Sequence, residues 1–373
     1  MNTTPCRFDD WTSEHWQTIR DNSNAWWAGE LDRPLVHMVI RENATTPKPA
    51  PKPFGRGLFS DLSISEEQMV DQLAWEFVQK SFMGDAFPWV NMCCSGAGVL
   101  AALTGAQLHP ESYDDIWFRV DNPLPISELH VQLDTENLWL KRLIKIGQLV
   151  QQRWGDRVLI SMPDIGGVMD VLSSFRPSEM LLLDLYDEPE HVQRVIGEIE
   201  TAWNQCYDLF QAALSPTNPG YCAWAGIYSD VPSYMMQCDF CYMISPEMFD
   251  QFVKPSLVRC SEKLARSFYH LDGKGQLPHL ESLLQIPTLN GVQWIPGDGQ
   301  PEPGAWPDVF QTIMASGKLA QVMGSPANLL SIMQKTGRHQ GMVNGTWTTD
   351  NLEAAQDYLQ QIIDSCQTGQ AIR

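Results

Sequence analysis

Ser267-Phe-Tyr-His-Leu-Asp-Gly-Lys-Gly275 and Gly291-Val-Gln-Trp-Ile-Pro-Gly-Asp-Gly299 decide the fold. Each is a short apolar run that stops abruptly in polar residues and glycine. A buried parallel strand that delivers side chains to a site at its C-terminal end reads this way. His270 and Asp272 lie two positions apart, so on a strand they point to the same face. Two such strands in succession set a metal-capable or acid/base pair beside aromatic residues.

Working outward, strand-like runs recur at Arg33–Ile40, Pro88–Met92, Arg157–Met162, Gly220–Ile227, Ser267–Asp272, Gly291–Ile295, Leu319–Met323 and Gln340–Asn344. Helical patterns separate them, at Glu66–Ser81, Thr135–Trp154, Glu190–Ala213, Pro246–Arg266, Gln276–Leu284, Pro307–Ser316, Pro326–Thr336 and Asn351–Ile363. Capping signals open several of these, notably Ser245-Pro246, Ser325-Pro326 and Thr349-Asp350. Eight alternating β and α units predict an α/β fold, a single (β/α)8 TIM barrel over residues 1–373 with 1–30 as an N-terminal extension. Long loops are expected after strands one, two and three: Glu42–Ser65, which reads as a lid, then Gly105–Asn137, then Asp164–Asp187 with two short helices. The competing doubly wound sheet lacks its Gly-x-Gly-x-x-Gly helix opening, so no nucleotide cofactor is expected.

Composition narrows the function. A net charge of −20 opposes the clustered Lys and Arg that nucleic acid binding requires. No stretch approaches the ~18 apolar residues of a membrane span. Met1–Asp10 lacks the basic and apolar regions of a secretory signal. Nine cysteines without framework spacing fit a reducing compartment, and the reading is cytoplasmic. Fourteen tryptophans, several near predicted strand ends, suggest a pocket for a small molecule with flat or apolar parts.

Met236-Gln-Cys-Asp-Phe-Cys-Tyr-Met-Ile-Ser-Pro-Glu-Met-Phe249, followed by Phe252-Val-Lys-Pro255, resembles the fourth-strand loop and helix of the uroporphyrinogen decarboxylase-like (URO-D) superfamily. Tyr269-His-Leu-Asp-Gly273 resembles its fifth strand, and Ser95-Gly-Ala-Gly-Val-Leu100 is compatible with it. The resemblance implies a (β/α)8 barrel, an enzyme, and a homodimer. It offers two chemistries. The decarboxylases (lyases) bind a tetrapyrrole carrying several carboxylates through an arginine-rich early segment. His37-Met-Val-Ile-Arg-Glu-Asn-Ala44 has one arginine there, too few for multi-carboxylate recognition. The corrinoid-linked methyltransferases use zinc, held by a His and a Cys of the fifth-strand motif and a Cys after the eighth strand. Here His270 matches the His, Asp272 stands in place of the Cys, and Asn344-Gly-Thr-Trp347 contains no Cys. A harder His/carboxylate site for Zn2+ or another metal is the chemistry left open.

The leading expectation is a metal-assisted methyltransferase acting on a small methylated donor. No Asp-x-His-x-x-Gly corrinoid segment is present, so the corrinoid would arrive on a separate protein. The alternatives are a cofactor-free decarboxylase of a small carboxylated substrate, and a non-catalytic binding barrel. His270 and Asp272 are the expected metal ligands or acid/base pair, with Asp239 as a further ligand or base. Cys238 is a third candidate ligand. Trp294, Gln293, Trp224, Trp89, Asn91, Asp164 and Trp347 are expected to bind substrate. Asp272 could instead cap the helix that begins near Lys274.

Overall fold

A computed structural model describes residues 1–42, 52–214 and 217–370. Its core strands are β1 His37–Arg41, β2 Trp89–Val90, β3 Leu159–Ile160, β4 Ser233–Gln237, β5 Arg266–Asp272, β6 Gly291–Ile295, β7 Leu319–Val322 and β8 Met342–Asn344. Helices lie between them, among them Glu66–Phe77, Leu138–Trp154, Pro189–Leu214, Pro307–Ala315, Pro326–Thr336 and Leu352–Gln370. The Glu66–Phe77 helix opens with a reciprocal Ser65/Gln68 capping box, which satisfies two otherwise orphaned amides.

Strands β8-β7-β6-β5-β4 form one parallel sheet in that order, and β2 pairs with β3 in parallel. Strand β1 lies in a further sheet between Lys80–Gly84 and Trp347–Thr349. A single parallel bridge, Leu35 to Val343, links the approach to β1 with β8. The architecture is α/β and barrel-like. Among the described residues, however, the hydrogen-bonded ladder breaks into separate sheets and does not close as one ring of eight strands.

The expected fourth strand at Gly220–Ile227 is not a strand. That segment folds back on itself through an antiparallel bridge between Tyr221 and Ser229, with Gly226 at φ +74°. The strand is Ser233-Tyr-Met-Met-Gln237, every residue of which is buried. Burial on both faces removes the alternation that marks a strand in sequence.

Residues 1–30 are packed onto this frame. Asn2–Arg7 pairs antiparallel with Lys80–Gly84, and the helix Ser13–Trp27 buries Trp16 and Trp26. Of the expected lid, residues 43–51 lie outside the described set. The part from Lys52 onward contains the short helix Arg56–Ser60 and is tied down by Arg142. The second long loop carries a β-hairpin, Gln107–Ser112 with Asp115–Arg119, and the third carries the helices Val168–Phe175 and Ser178–Asp187. Among the described residues no helix is long and apolar enough to cross a membrane.

Candidate metal centre at the strand ends

His270 and Asp272 close β5 on one face, and Asp239 opens the short 3-10 helix that follows β4. One ligand atom from each of the three lies within 4.8 Å of the others. His270 Nε2 is 3.6 Å from Asp272 Oδ2. Two ligands ~2.1 Å from one ion at a tetrahedral angle are themselves ~3.4 Å apart, so this pair needs little adjustment to share a cation. Asp272 does not act as a cap: Gly273 is the N-cap of the following 3-10 helix, with no side-chain capping bond. The loops after β5 and β6 approach so closely that a Cβ on Gly297, at φ +95°, would sit 3.2 Å from the Gly273 Cα. This glycine contact lets Asp272 and Asp298 border the same open cavity.

Burial disfavours the charged His270 imidazolium. Hydrogen bonding to Asp272 and the charge of Asp239 outweigh it, and the pKa is raised above the ordinary histidine value. His270 Nδ1 hydrogen-bonds the side-chain oxygen of Gln293. Gln293 Nε2 donates to Gln321 Oε1 at 2.7 Å, and Gln321 Nε2 donates to the Ala225 carbonyl at 2.9 Å. Trp224 stands edge-on to the His270 ring at 5.0 Å between centroids.

The other expected site residues divide. Gln293 contacts the metal-capable histidine rather than the mouth, and it is fully buried. Trp294, the next residue on β6, points the opposite way. It is 0% exposed and packs against Trp306 under the helix layer, so it does not wall the mouth. Trp347 likewise turns toward Tyr358 of the C-terminal helix, while its neighbours Thr346 and Thr348 face a cavity of about 500 Å³. Trp89 and Asn91 line that cavity; the Asn91 side chain also accepts from the Cys93 amide. Cys238 is fully buried outside the triad, its thiol beside that of Cys241, and burial drives its pKa well up. A buried thiol that resists ionisation is a poor ligand, and Cys238 is dropped from the metal set.

Asp164 is 4% exposed, and its side chain accepts from the Gly166 amide. Burial, reinforced by the Asp239 charge, pushes its pKa to about 7. Asp170 is the second acidic residue after β3, ranked below Asp164 from the sequence. Its Oδ1 accepts from the Phe240 amide, its Oδ2 is buried with no hydrogen-bond partner among the described residues, and burial with the Asp239 charge also takes it to about 7. Asp170 and Asp239 border a cavity of about 730 Å³ walled by the hairpin residues Ile116, Trp117 and Phe118. A raised carboxyl pKa means that folding favours the protonated form. Its stabilising contribution is complete below the unfolded value near 4 and is lost as pH rises through about 7. Asp164→Asn should therefore stabilise the metal-free protein at pH 8.5 by on the order of 2 kcal/mol and leave it unchanged at pH 4. Urea unfolding at the two pH values reads this directly, and equal effects at both would refute it.

Two further residues escaped the sequence reading. Gln321 is a fully buried amide inside the apolar run Leu319-Ala-Gln-Val322, and a polar residue in a buried strand is itself a signal. Arg56 borders both larger cavities from the start of a short helix whose position no local pattern gives.

No family model matches the chain, and no curated protein matches it either. The fold is similar to that of one solved methyltransferase. A solved structure of a methyltransferase from Methanosarcina mazei superposes with a TM-score of 0.58, covering 93% of this chain and 98% of that one. Identity is 11%, so the likeness concerns the fold alone.

Proposed function

We propose that the chain is a metal-assisted methyltransferase of the uroporphyrinogen decarboxylase-like superfamily, using a small methylated donor and a separate corrinoid protein. The observation that carries this reading is the convergence of Asp239, His270 and Asp272 at the strand ends of a fold shared with a methyltransferase. One imidazole nitrogen and two carboxylates make a donor set suited to zinc or a neighbouring divalent metal without thiolate. When bound, such an ion would polarise the donor's heteroatom and stabilise it as the leaving group as the methyl passes to the corrinoid. The chain's own share is to hold that ion through His270 Nε2 and the two carboxylates, and to restrain the imidazole by its perpendicular packing with Trp224. The aromatic wall of the 730 Å³ cavity would receive the apolar part of a substrate.

A second reading is favoured by Asp164 and Asp170, both pushed to about 7 and hence able to hold and release a proton near neutrality. It is a cofactor-free carboxy-lyase in which a buried carboxyl delivers the proton.

Elemental analysis of unchelated protein separates the two. About one transition metal per chain is expected, lost in His270→Ala and Asp272→Ala with the fold retained, because both side chains close β5 and neither belongs to the apolar core. Protein without metal, or turnover indifferent to chelator, would favour the carboxy-lyase.

A further inference from the structure

The strand register sets four polar side chains in one row. Gln237 is level with His270, His270 with Gln293, and Gln293 with Gln321, across β4, β5, β6 and β7. Adjacent strands lie ~4.8 Å apart, so level side chains on one face meet. Three members of the row are joined in a chain of directed hydrogen bonds that ends on the main chain.

The direction of each bond follows from its far end. A backbone carbonyl only accepts, so the Gln321 atom facing Ala225 O at 2.9 Å is the amide nitrogen. Gln321 Oε1 therefore faces Gln293 and takes a hydrogen from Gln293 Nε2 at 2.7 Å. Met323 Sδ, 3.4 Å from the same nitrogen, is a second acceptor and agrees with that orientation. Gln293 is left presenting Oε1 to His270 Nδ1. An oxygen there demands a hydrogen on Nδ1, which places the lone pair of the neutral ring on Nε2, the nitrogen facing Asp272.

We infer that Gln293 and Gln321 are positioning residues: a two-amide relay, anchored on the Ala225 carbonyl, that fixes the tautomer of His270 and aims Nε2 at the Asp239/Asp272 cluster. The inference rests on the proposed metal reading for its purpose, but the tautomer itself does not. Gln321 acts from two side chains away. Both amides are fully buried, so a flipped amide would set like atoms against each other and leave hydrogen bonds unmade.

The test uses nitrogen-15 NMR of the histidines in chelated, metal-free full-length protein, at a pH above the His270 titration, followed by Zn2+ titration against a chromophoric chelator. Wild-type protein should show His270 with its hydrogen on Nδ1. Gln293→Leu should weaken Zn2+ binding 10–100-fold, the usual cost of removing a partner behind a ligating histidine. Gln321→Leu, which touches neither ring nor ion, should mix the tautomers and weaken Zn2+ binding roughly tenfold. A hydrogen on Nε2 in wild type would overturn the relay, whether or not either variant folds. So would a Gln321→Leu protein with unchanged tautomer and affinity. Wild type with the hydrogen on Nδ1 but no Zn2+ binding would uphold the relay and sink the metal reading.

Discussion

Asp85→Ala is expected to destabilise the protein by about 3–5 kcal/mol, the range for stripping one partner from a buried ion pair. Asp85 is 1% exposed and takes both arms of the Arg33 guanidinium, at 2.7 and 2.9 Å. It also accepts from the Asn22 side chain at 2.9 Å and from the Val36 amide at 3.0 Å. One carboxylate thus joins the N-terminal helix, the entry to β1 and the turn ahead of β2. Alanine would leave Arg33 charged and largely buried, and an amide without its acceptor. Asp85→Asn, which keeps the acceptor but loses the charge, should fall between alanine and wild type. Urea unfolding of the two variants checks the order, and an alanine cost below about 1 kcal/mol would show that the pair is replaceable.

Arg142→Ala is expected to cost about 3 kcal/mol, and to do so locally before it does so globally. The Arg142 side chain is 4% exposed. It pairs with Glu66 at 2.6 Å and donates to the carbonyls of Phe59 at 3.0 Å and Ile64 at 2.7 Å. Without it, the 58–64 stretch loses its common donor, and Arg56 just before it loses its support at the mouth. Limited proteolysis should find new cleavage between Phe54 and Ser65 under conditions in which wild type is resistant, and substrate affinity should weaken. Cleavage elsewhere first would contradict the assignment of Arg142 as the anchor of this segment.

Much of the fold could be read from the residues. The runs ending at Asp272 and Ile295 were bounded by glycine and proline, and their boundaries hold to within one residue. The fourth strand escaped because Ser233–Gln237 is buried throughout and shows no period, while Gly220–Ile227 looks apolar and ends in small residues. The pairing of His270 with Asp272 follows from the two-residue repeat of a strand, so it was legible. The same repeat, applied one residue further, would have turned Trp294 away from Gln293 and removed it from the pocket. Asp239 was reachable only through the resemblance carried by Met236–Phe249, because the strand directly before it was missed. Asp170, which follows the third strand beside Asp164, could be named from the sequence, but its closeness to Asp239 could not; Arg56 could not be named, because its place depends on how separate loops fold over the site.

The anchor of the histidine row is a main-chain oxygen, and this shapes how the site would look across related sequences. Any residue at position 225 carries the same carbonyl, so the anchor itself does not depend on which side chain stands there. The constraint moves to its neighbour. Gly226 holds φ +74°, and a Cβ there would meet Trp89 at 3.1 Å and Thr346 at 3.2 Å. An alignment would record an invariant glycine, and the glycine would pass for a simple turn. The aim of the reactive nitrogen would be inherited through backbone shape, where no count of preserved functional groups would register it.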